Sequence, residues 1–229
     1  MTPALLDRLA AATTARKPVA LLTRLSDGAQ CLWPEDAAPE ALEAATLEAL
    51  RADKPATVEV GGTAWFIHPH NPAPRMIVVG AVHVAQALVP MAAAAGFAVT
   101  VVDPRRAFAT EERFADGAAV MTEWPDDAMN ALAPDERTAV VTLTHDPKLD
   151  DPALDAALRS PAFYVGALGS RRTHAKRVER LTELGHAPEA IARIHAPIGL
   201  DIGAMTAPEI ALSIVAEVVS ARRGKRRPV

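Results

Sequence analysis

The first third of the chain alternates short helical and strand-like hydrophobic patterns. Five segments predict the elements of a small α+β unit: a helix around Leu5 to Ala12, strands over 18–23 and 29–33, a helix over 39–51 and a hairpin over 57–67. Asp27-Gly28 and Gly61-Gly62 are the two-residue turn signals of the two hairpins. We therefore place a small N-terminal α+β domain at residues 1–70.

From Arg75 onward, continuous runs of valine, isoleucine and alanine alternate with helical segments. Strands are predicted over 76–79, 98–102, 118–120, 138–143 and 162–165. Helices are predicted up to Ala95 and over 126–132, 151–159, 171–184, 188–193 and 207–222. Uninterrupted apolar strands separated by helices are typical of a parallel sheet with helices on both faces. We therefore expect a Rossmann-like α/β domain over residues 75–224.

The segment from His68 to Pro74 contains three of the chain's prolines. Proline lacks an amide donor and biases its predecessor toward extended geometry. We predict that this segment is a linker between the two domains.

Composition and charge exclude several classes of function. The chain has 229 residues and a formal net charge of −4, which does not favour nucleic acid as a partner. The exception is a short basic tail from Arg222 to Arg227, which we interpret as a solvated chain end. Cys31 is the single cysteine, so no disulfide framework and no cysteine-based zinc site are expected. With no signal peptide pattern and no apolar run of about 18 residues, the sequence predicts a cytoplasmic protein without a membrane span.

The first turn of the predicted Rossmann domain carries a glycine where a phosphate site is expected. Gly80 follows the first strand directly, so a phosphate can meet free amides at the start of the next helix. Val82 stands where the dinucleotide fingerprint has its second glycine, which weakens the prediction of an NAD site. His83 suits either donation to a phosphate or substrate oxygen, or capping of the turn.

Asp103 ends the second strand about 20 residues further on, the position from which an acid accepts hydrogen bonds from ribose hydroxyls. A turn-forming aspartate is the alternative. Arg105 follows it and is interpreted either as a ligand cation or as a surface charge.

A polar cluster follows the fourth predicted strand. Thr144, His145 and Asp146 lie at the carboxyl end of the strand, the edge where open α/β sheets bind ligands. Their spacing does not form a complete zinc site, and no residue is assigned a metal-binding or catalytic role. Asp150 and Asp151 are predicted to begin the next helix, where its dipole favours acids.

The strongest anion signal lies after the fifth predicted strand. Gly166 and Gly169 precede Ser170, a capping residue, and Arg171 and Arg172 begin the next helix. Cations at a helix N-terminus oppose its dipole, so either a bound phosphate or nearby carboxylates are expected to balance them. A last loop, with Gly199 and Asp201, suits either the clamping of a flat ring or a tight structural connection.

Together these segments resemble the XdhC/CoxI/CoxF family. The resemblance rests on GAVHVAQAL, VVDPRRAF, LTHDPKLDDPAL, YVGALGSRRTHAKR and APIGLDIGA followed by TAPEIALSIVAEV, and it covers residues 75–221 in order. Family members are accessory proteins that bind molybdenum cofactor and help to mature and insert it into molybdenum hydroxylases such as xanthine dehydrogenase or carbon monoxide dehydrogenase. The resemblance therefore implies a cofactor-binding maturation chaperone rather than a catalyst.

The resemblance also implies the ligand and the partners. The ligand is molybdenum cofactor, as molybdopterin or its dinucleotide form, and the partners are an apo molybdenum hydroxylase and, as a further candidate, a cysteine desulfurase. The residues expected around the ligand are Gly80, His83, Asp103, Arg105, Thr144, His145, Asp146, Gly166, Gly169, Ser170, Arg171, Arg172, Gly199 and Asp201.

The chain departs from longer family members at the N-terminus. Those members have a domain with a glycine-rich segment that ends in cysteine, a motif not found in these residues. Cys31 lies instead in a predicted hairpin, where a buried structural thiol is expected.

Two rival functions remain at the level of sequence. An NAD(P)-dependent oxidoreductase is supported by the βαβ pattern with Asp103, and opposed by Val82 and by the lack of an evident hydride-transfer acid. A nucleotide-sensing scaffold is the second rival. The apolar last helix is suited to burial either against the sheet or against a second copy of the chain. A homodimer is therefore one of two interpretations of this helix.

Overall fold

The computed structural model describes residues 1–114 and 117–224, except for the side chain of Glu111. Lys225, Arg226 and Arg227 of the basic tail lie outside the described residues. The chain divides into two compact units, Met1–Pro72 and Ala73–Val229. Among the described residues, no helix combines the length and the apolar character that a membrane crossing requires.

The N-terminal unit is an antiparallel four-stranded sheet with two helices. Its elements are α1 (Pro3–Thr14), β1 (Val19–Arg24), β2 (Gln30–Trp33), a 3-10 turn (Glu40–Leu42), α2 (Glu43–Ala52), β3 (Ala56–Val60) and β4 (Thr63–His70). The strand order is β2-β1-β4-β3. Gly28, Gly61 and Gly62 have positive φ angles in the two hairpin turns, which only glycine adopts without strain. These turns join neighbouring antiparallel strands, and the sheet together with its two helices confirms the predicted α+β class of this unit.

The predicted linker over 68–74 is partly wrong, because β4 continues through His70. Leu21 pairs with His68 and Ala20 pairs with Pro69 across the sheet. The pairing of β4 with β3 ends at Ile67, so the remaining part of β4 is an edge strand on that side. An edge strand tolerates a proline that lacks the amide donor. The irregular part of the segment begins only at Asn71.

The C-terminal unit is a parallel six-stranded sheet covered by helices on both faces. Its strands are β5 (Arg75–Val79), β6 (Ala98–Val102), β7 (Ala118–Met121), β8 (Thr138–Thr142), β9 (Tyr164–Ala167) and β10 (Ile194–His195). Its helices are α3 (His83–Ala94), α4 (Glu111–Phe114), α5 (Pro125–Leu132), α6 (Pro147–Arg159), α7 (Arg171–Glu183), α8 (Pro188–Ile191) and α9 (Ala207–Arg222). The strand order is β10-β9-β8-β5-β6-β7, so the predicted Rossmann-like fold is confirmed.

Alternate residues of the strand β5 pack into the hydrophobic cores on opposite faces of the sheet. Met76 and Val78 pack with α3 and α9 on one face. Ile77 and Val79 pack with the helices α5, α6 and α7 on the other face. Successive side chains of a strand point to opposite faces, so an uninterrupted apolar strand requires helices on both sides.

Several element boundaries differ from the prediction. The helix predicted over 151–159 begins earlier, at Pro147, because the Asp146 side chain accepts the Lys148 amide and caps it. The two-residue strand β10 and the short helix α4 were not predicted, since neither is long enough to show a hydrophobic period. The helix α9 begins at Ala207, as predicted, because Thr206 and Glu209 form a capping box, and it ends at Arg222, also as predicted.

Candidate functional site

The predicted site residues lie along the carboxyl edge of the parallel sheet. The sheet order reverses between β5 and β8, and the loops that follow these two strands diverge there. Gly80 follows β5, Asp103 follows β6, Thr144 follows β8 and Leu168 follows β9. The fold therefore gathers loops that are distant in sequence at the crevice where this architecture binds ligands.

The Gly80 turn fits closely against the loop after β8. Gly80 has φ of +111°, and a Cβ atom there would lie 2.5 Å from Thr144 Cγ2 and 3.4 Å from the Thr144 nitrogen. Its amide donates to the Val102 carbonyl at 2.9 Å. Only glycine combines this backbone angle with so close an approach. The two loops thus form one continuous surface.

The helix α3 begins beside this turn without a side-chain cap. Val82 is its N-cap and makes no capping hydrogen bond, and His83 is exposed at the first helical position. The amides of the first turn are therefore available to an anion. His83 does not cap the turn, so the phosphate or substrate contact predicted for it stays a prediction.

Asp103 is fully buried, and Arg105 occupies its carboxylate. Oδ2 accepts from the Ala81 amide at 2.8 Å and from Arg105 Nη2 at 2.7 Å. Oδ1 accepts from the Arg105 amide at 3.0 Å and from its Nε at 2.8 Å. Burial alone would raise the pKa of Asp103, but these hydrogen bonds outweigh it and lower the pKa. Asp103 therefore ties β6 to the Gly80 turn, and a ribose hydroxyl would have to displace Arg105 to reach it.

We expect Asp103→Asn to lower the free energy of unfolding by about 1–2 kcal/mol, because an amide cannot accept the Arg105 fork on both atoms. The Arg105 side chain is 38% exposed, so solvent screens part of the attraction. Urea denaturation measures the change. Arg106→Ala, at an exposed neighbour, should shift it by less than about 0.5 kcal/mol. Equal stability of the two variants would show that the Asp103 contacts contribute little.

The loop after β8 is held by Asp150. Asp150 Oδ1 accepts from Thr144 Oγ1 at 2.7 Å and from the Thr144 amide at 3.3 Å, and Oδ2 accepts from the His145 amide at 3.1 Å. Asp150 is 1% exposed, and burial raises its pKa. Asp150 lies in the first turn of α6, as predicted for an acid near the helix start, but Asp146 and not Asp150 or Asp151 caps the helix. The Asp150 side chain turns back to hold the loop. His145 is exposed, with a left-handed φ of +64°.

The loop after β9 packs against the loop after β8. A Cβ atom on Gly169, whose φ is +134°, would lie 3.6 Å from His145 Nδ1. Ser170 caps α7 by accepting the Thr173 amide at 3.2 Å. Arg171 and Arg172 are exposed, and neither has a carboxylate partner within the part of the chain that the structure describes. Of the two predicted sources of balancing charge, nearby carboxylates do not pair with these arginines.

The last predicted loop is anchored by a buried carboxylate on α9. Glu217 accepts from the Tyr164 hydroxyl and from the Gly199 amide, each at 2.7 Å, and its Oε1 lies 3.1 Å from His195 Nδ1. Burial alone would raise the pKa of Glu217, but these hydrogen bonds outweigh it and lower the pKa. This network fixes Gly199, while Asp201 is exposed two residues further on.

The structure thus brings most of the predicted residues to one edge, but not all of them into mutual contact. A Cβ atom on Gly166 would lie 2.5 Å from Ile198 Cδ1, which joins the β9 strand to the Gly199 loop. Among the described residues, Arg171 and Asp201 make no hydrogen bond or ion pair with another predicted site residue. The same portion of the chain contains no group of three or more His, Cys, Asp or Glu side chains that could hold a metal ion.

Residues 76–218 match a known protein family, the XdhC Rossmann domain. The chain belongs to the XdhC family. The predicted resemblance is therefore confirmed, and the match covers the whole edge described above.

Relatives of this XdhC chain include two curated bacterial proteins. The molybdenum cofactor insertion chaperone PaoD of Escherichia coli (strain K12) is 47% identical over 88 residues, which are 38% of this chain and 28% of PaoD. A probable xanthine dehydrogenase subunit of Bacillus subtilis (strain 168) is 33% identical over 161 residues, which are 70% of this chain and 47% of that protein. The chain thus matches less than half of the length of either relative.

A solved structure shares the fold of this XdhC chain. The crystal structure of a protein described as a xanthine dehydrogenase, from Bacillus halodurans, aligns with a TM-score of 0.73 and 24% identity. The alignment covers 96% of this chain and 67% of that one.

Two buried charged residues of this XdhC domain were missed by the sequence patterns. Glu217 is 2% exposed among the apolar residues Ile214 and Val218 of α9. Arg177 is 1% exposed and shares the buried stripe of α7 with Leu181. A charged residue at a core-facing helical position is rare, and this is the signal that could have identified both.

Proposed function

We propose that this chain binds molybdenum cofactor at the carboxyl edge of its parallel sheet and assists its maturation and insertion into a molybdenum hydroxylase such as xanthine dehydrogenase or carbon monoxide dehydrogenase. The cofactor is cargo here, carried as molybdopterin or in its dinucleotide form. Membership of the XdhC family and the name of the PaoD relative support this proposal. An apo molybdenum hydroxylase would then be the partner that receives the cargo.

The observation that carries the proposal is that two glycine turns at one edge of the sheet each precede a positively charged group. One group is the uncapped N-terminus of α3, and the other is the pair of exposed arginines at the start of α7. The Gly80 turn presents the α3 amides, and the Gly169-Ser170 turn presents two arginines without carboxylate partners among the described residues. Molybdopterin carries a phosphate, and its dinucleotide form carries a pyrophosphate. Backbone amides and arginine side chains are the groups that bind such anions in proteins.

Each side chain has a distinct part in this proposal. Arg171 attracts the phosphate from solvent, since it is exposed at the helix start. Asp150 and Glu217 keep the loops at Thr144 and Gly199 in place. Asp201 and His145, both exposed, are available to hydrogen-bond the polar edge of a ring. Docking on the client enzyme would then compete for the same exposed groups and release the cargo.

We expect Arg171→Ala to weaken retention of molybdenum cofactor about tenfold, because it removes one charged hydrogen bond to phosphate. Retention by ultrafiltration, after incubation with cofactor released from a donor protein, measures the effect. Arg159→Ala is the matched control. Arg159 is an exposed arginine at the C-terminal end of α6, whereas the N-terminal end of α6 lies at the carboxyl edge of the sheet. Equal losses in both variants would point to net charge rather than a site, and no retention by wild type would contradict the proposal.

An NAD(P)-dependent oxidoreductase fits these residues less well. The carboxylate that would accept ribose hydroxyls is already filled by Arg105 and two amides. Titration with NADH followed by its fluorescence separates the two functions. Saturable enhancement would favour the oxidoreductase, and its absence together with cofactor retention would favour the carrier.

A further inference from the structure

A small pocket lies between the N-terminal halves of α6 and α7. It encloses about 250 Å³, and the charged or titratable residues that line it are His145, Asp150, Arg172, Lys176, Arg177 and Arg180. Pockets for whole drug-sized ligands are about 300–1,000 Å³. This pocket is therefore the size of one functional group with its hydration, and too small for a complete pterin cofactor.

Arg177 is the unusual member of this pocket. Its side chain is 2% exposed, and Nη2 donates to the Leu168 carbonyl at 3.0 Å. Nε and Nη1 are buried without a hydrogen-bond partner within the described part of the chain. A buried guanidinium with two unfilled donors is unfavourable unless another acceptor completes it. Burial lowers the pKa of Arg177, which has the same physical origin.

Asp150 does not supply the missing acceptor. Its Oδ2 lies 3.7 Å from Arg177 Nη2, beyond hydrogen-bond distance. Both of its oxygens already accept from the Thr144–His145 loop. The carboxylate thus faces the loop more closely than it faces Arg177.

The other charges leave the pocket positive. Arg180 is bound by both oxygens of Asp151. Arg172 and Lys176 are exposed at the rim and have no carboxylate partner among the residues that the structure describes. Four cations and one carboxylate, Asp150, therefore line the pocket, and Asp151 outside the lining balances Arg180.

We propose that this pocket binds a tetrahedral oxyanion of the phosphate class, held by Arg177 at its wall and by Arg172 and Lys176 at its rim. The oxygens of such an anion accept several hydrogen bonds at once, as a guanidinium with two free donors requires. If the proposed function holds, the terminal phosphate of the cargo is one source of this group. Free inorganic phosphate is the other source.

Inorganic phosphate added to the full chain tests the site without any cofactor. We expect it to raise the Tm above that in sodium chloride of matched ionic strength, and to give a saturable binding isotherm by calorimetry. Lys176→Ala, at an exposed position, should weaken phosphate binding about tenfold. Lys148→Ala is the matched control, since Lys148 is an exposed lysine of α6 that does not line the pocket.

Arg177→Met is the second variant. It keeps a long apolar side chain in the wall, and Asp150 retains its hydrogen bonds from the loop, so we expect the variant to fold. Phosphate should no longer raise its Tm beyond the effect of chloride. A phosphate effect that survives both Lys176→Ala and Arg177→Met, or no effect on wild type, would overturn the proposal.

Competition separates the two sources of the anion. If inorganic phosphate displaces molybdenum cofactor and Lys176→Ala weakens its retention, the pocket holds the phosphate of the cargo. If phosphate binds and cofactor retention is unaffected, the pocket serves free phosphate. Because the phosphate titration needs no cofactor, a failure of the proposed function leaves this test intact.

Discussion

Replacing Gly80 with alanine is expected to lower the free energy of unfolding by about 2–5 kcal/mol and to remove cofactor retention. The residue has φ of +111°, which L-residues rarely adopt, and the new Cβ would lie 2.5 Å from Thr144 Cγ2. Either the Gly80 turn or the Thr144 loop must move to relieve the contact. Both belong to the edge that we propose as the cofactor site, so binding and stability should decline together.

Gly96→Ala is the matched control for this prediction. Gly96 has φ of +87° in the same unit, but a Cβ atom there would have nothing within 4 Å. The alanine variant at this position therefore adds backbone strain alone, about 1–2 kcal/mol, and should retain the cofactor. Urea denaturation and ultrafiltration measure the two properties. Equal losses in the two variants would mean that the close approach to Thr144 has no consequence.

Replacing Glu217 with alanine should lower the free energy of unfolding by about 3 kcal/mol, because it leaves the Tyr164 hydroxyl and the Gly199 amide buried without their acceptor. Tyr164→Phe removes one of these donors and should cost about 1–2 kcal/mol. Chemical denaturation measures both values. A loss in Glu217→Ala no larger than that in Tyr164→Phe would contradict the central position that we give Glu217.

The contribution of Glu217 should depend on pH with a definite sign. The pKa of Glu217 in the folded chain is lowered below its ordinary value of 4.5, so the folded state holds the proton less tightly than the unfolded state. The stabilisation is therefore fully present above that ordinary value and is lost as pH falls through the lowered pKa. The stability difference between wild type and Glu217→Gln should be constant near neutrality and shrink below about pH 4.5. A difference that grows on acidification would contradict this assignment.

The candidate site at the carboxyl edge of the sheet could be predicted in part from the sequence, because glycines and caps are local signals. Gly80, Gly169 and Ser170 each follow a strand and precede a helix, so their positions could be predicted from the chain alone. The hydrogen-bond partners of Asp103 could not be predicted, because both an arginine and a ribose hydroxyl are reasonable partners for an acid at a strand end. In the structure, the Ala81 amide and the Arg105 side chain donate to its carboxylate.

By itself, the sequence determined the order of the longer helices and strands, the class of each sheet and the family. Local effects fix these properties: hydrophobic period, turn glycines and caps such as the Thr206–Glu209 box. Only the tertiary structure decided that Asp150, Arg177 and Glu217 are buried, and which groups they contact. The energy of a buried charge depends on neighbours brought from distant parts of the chain, and no local pattern specifies those neighbours.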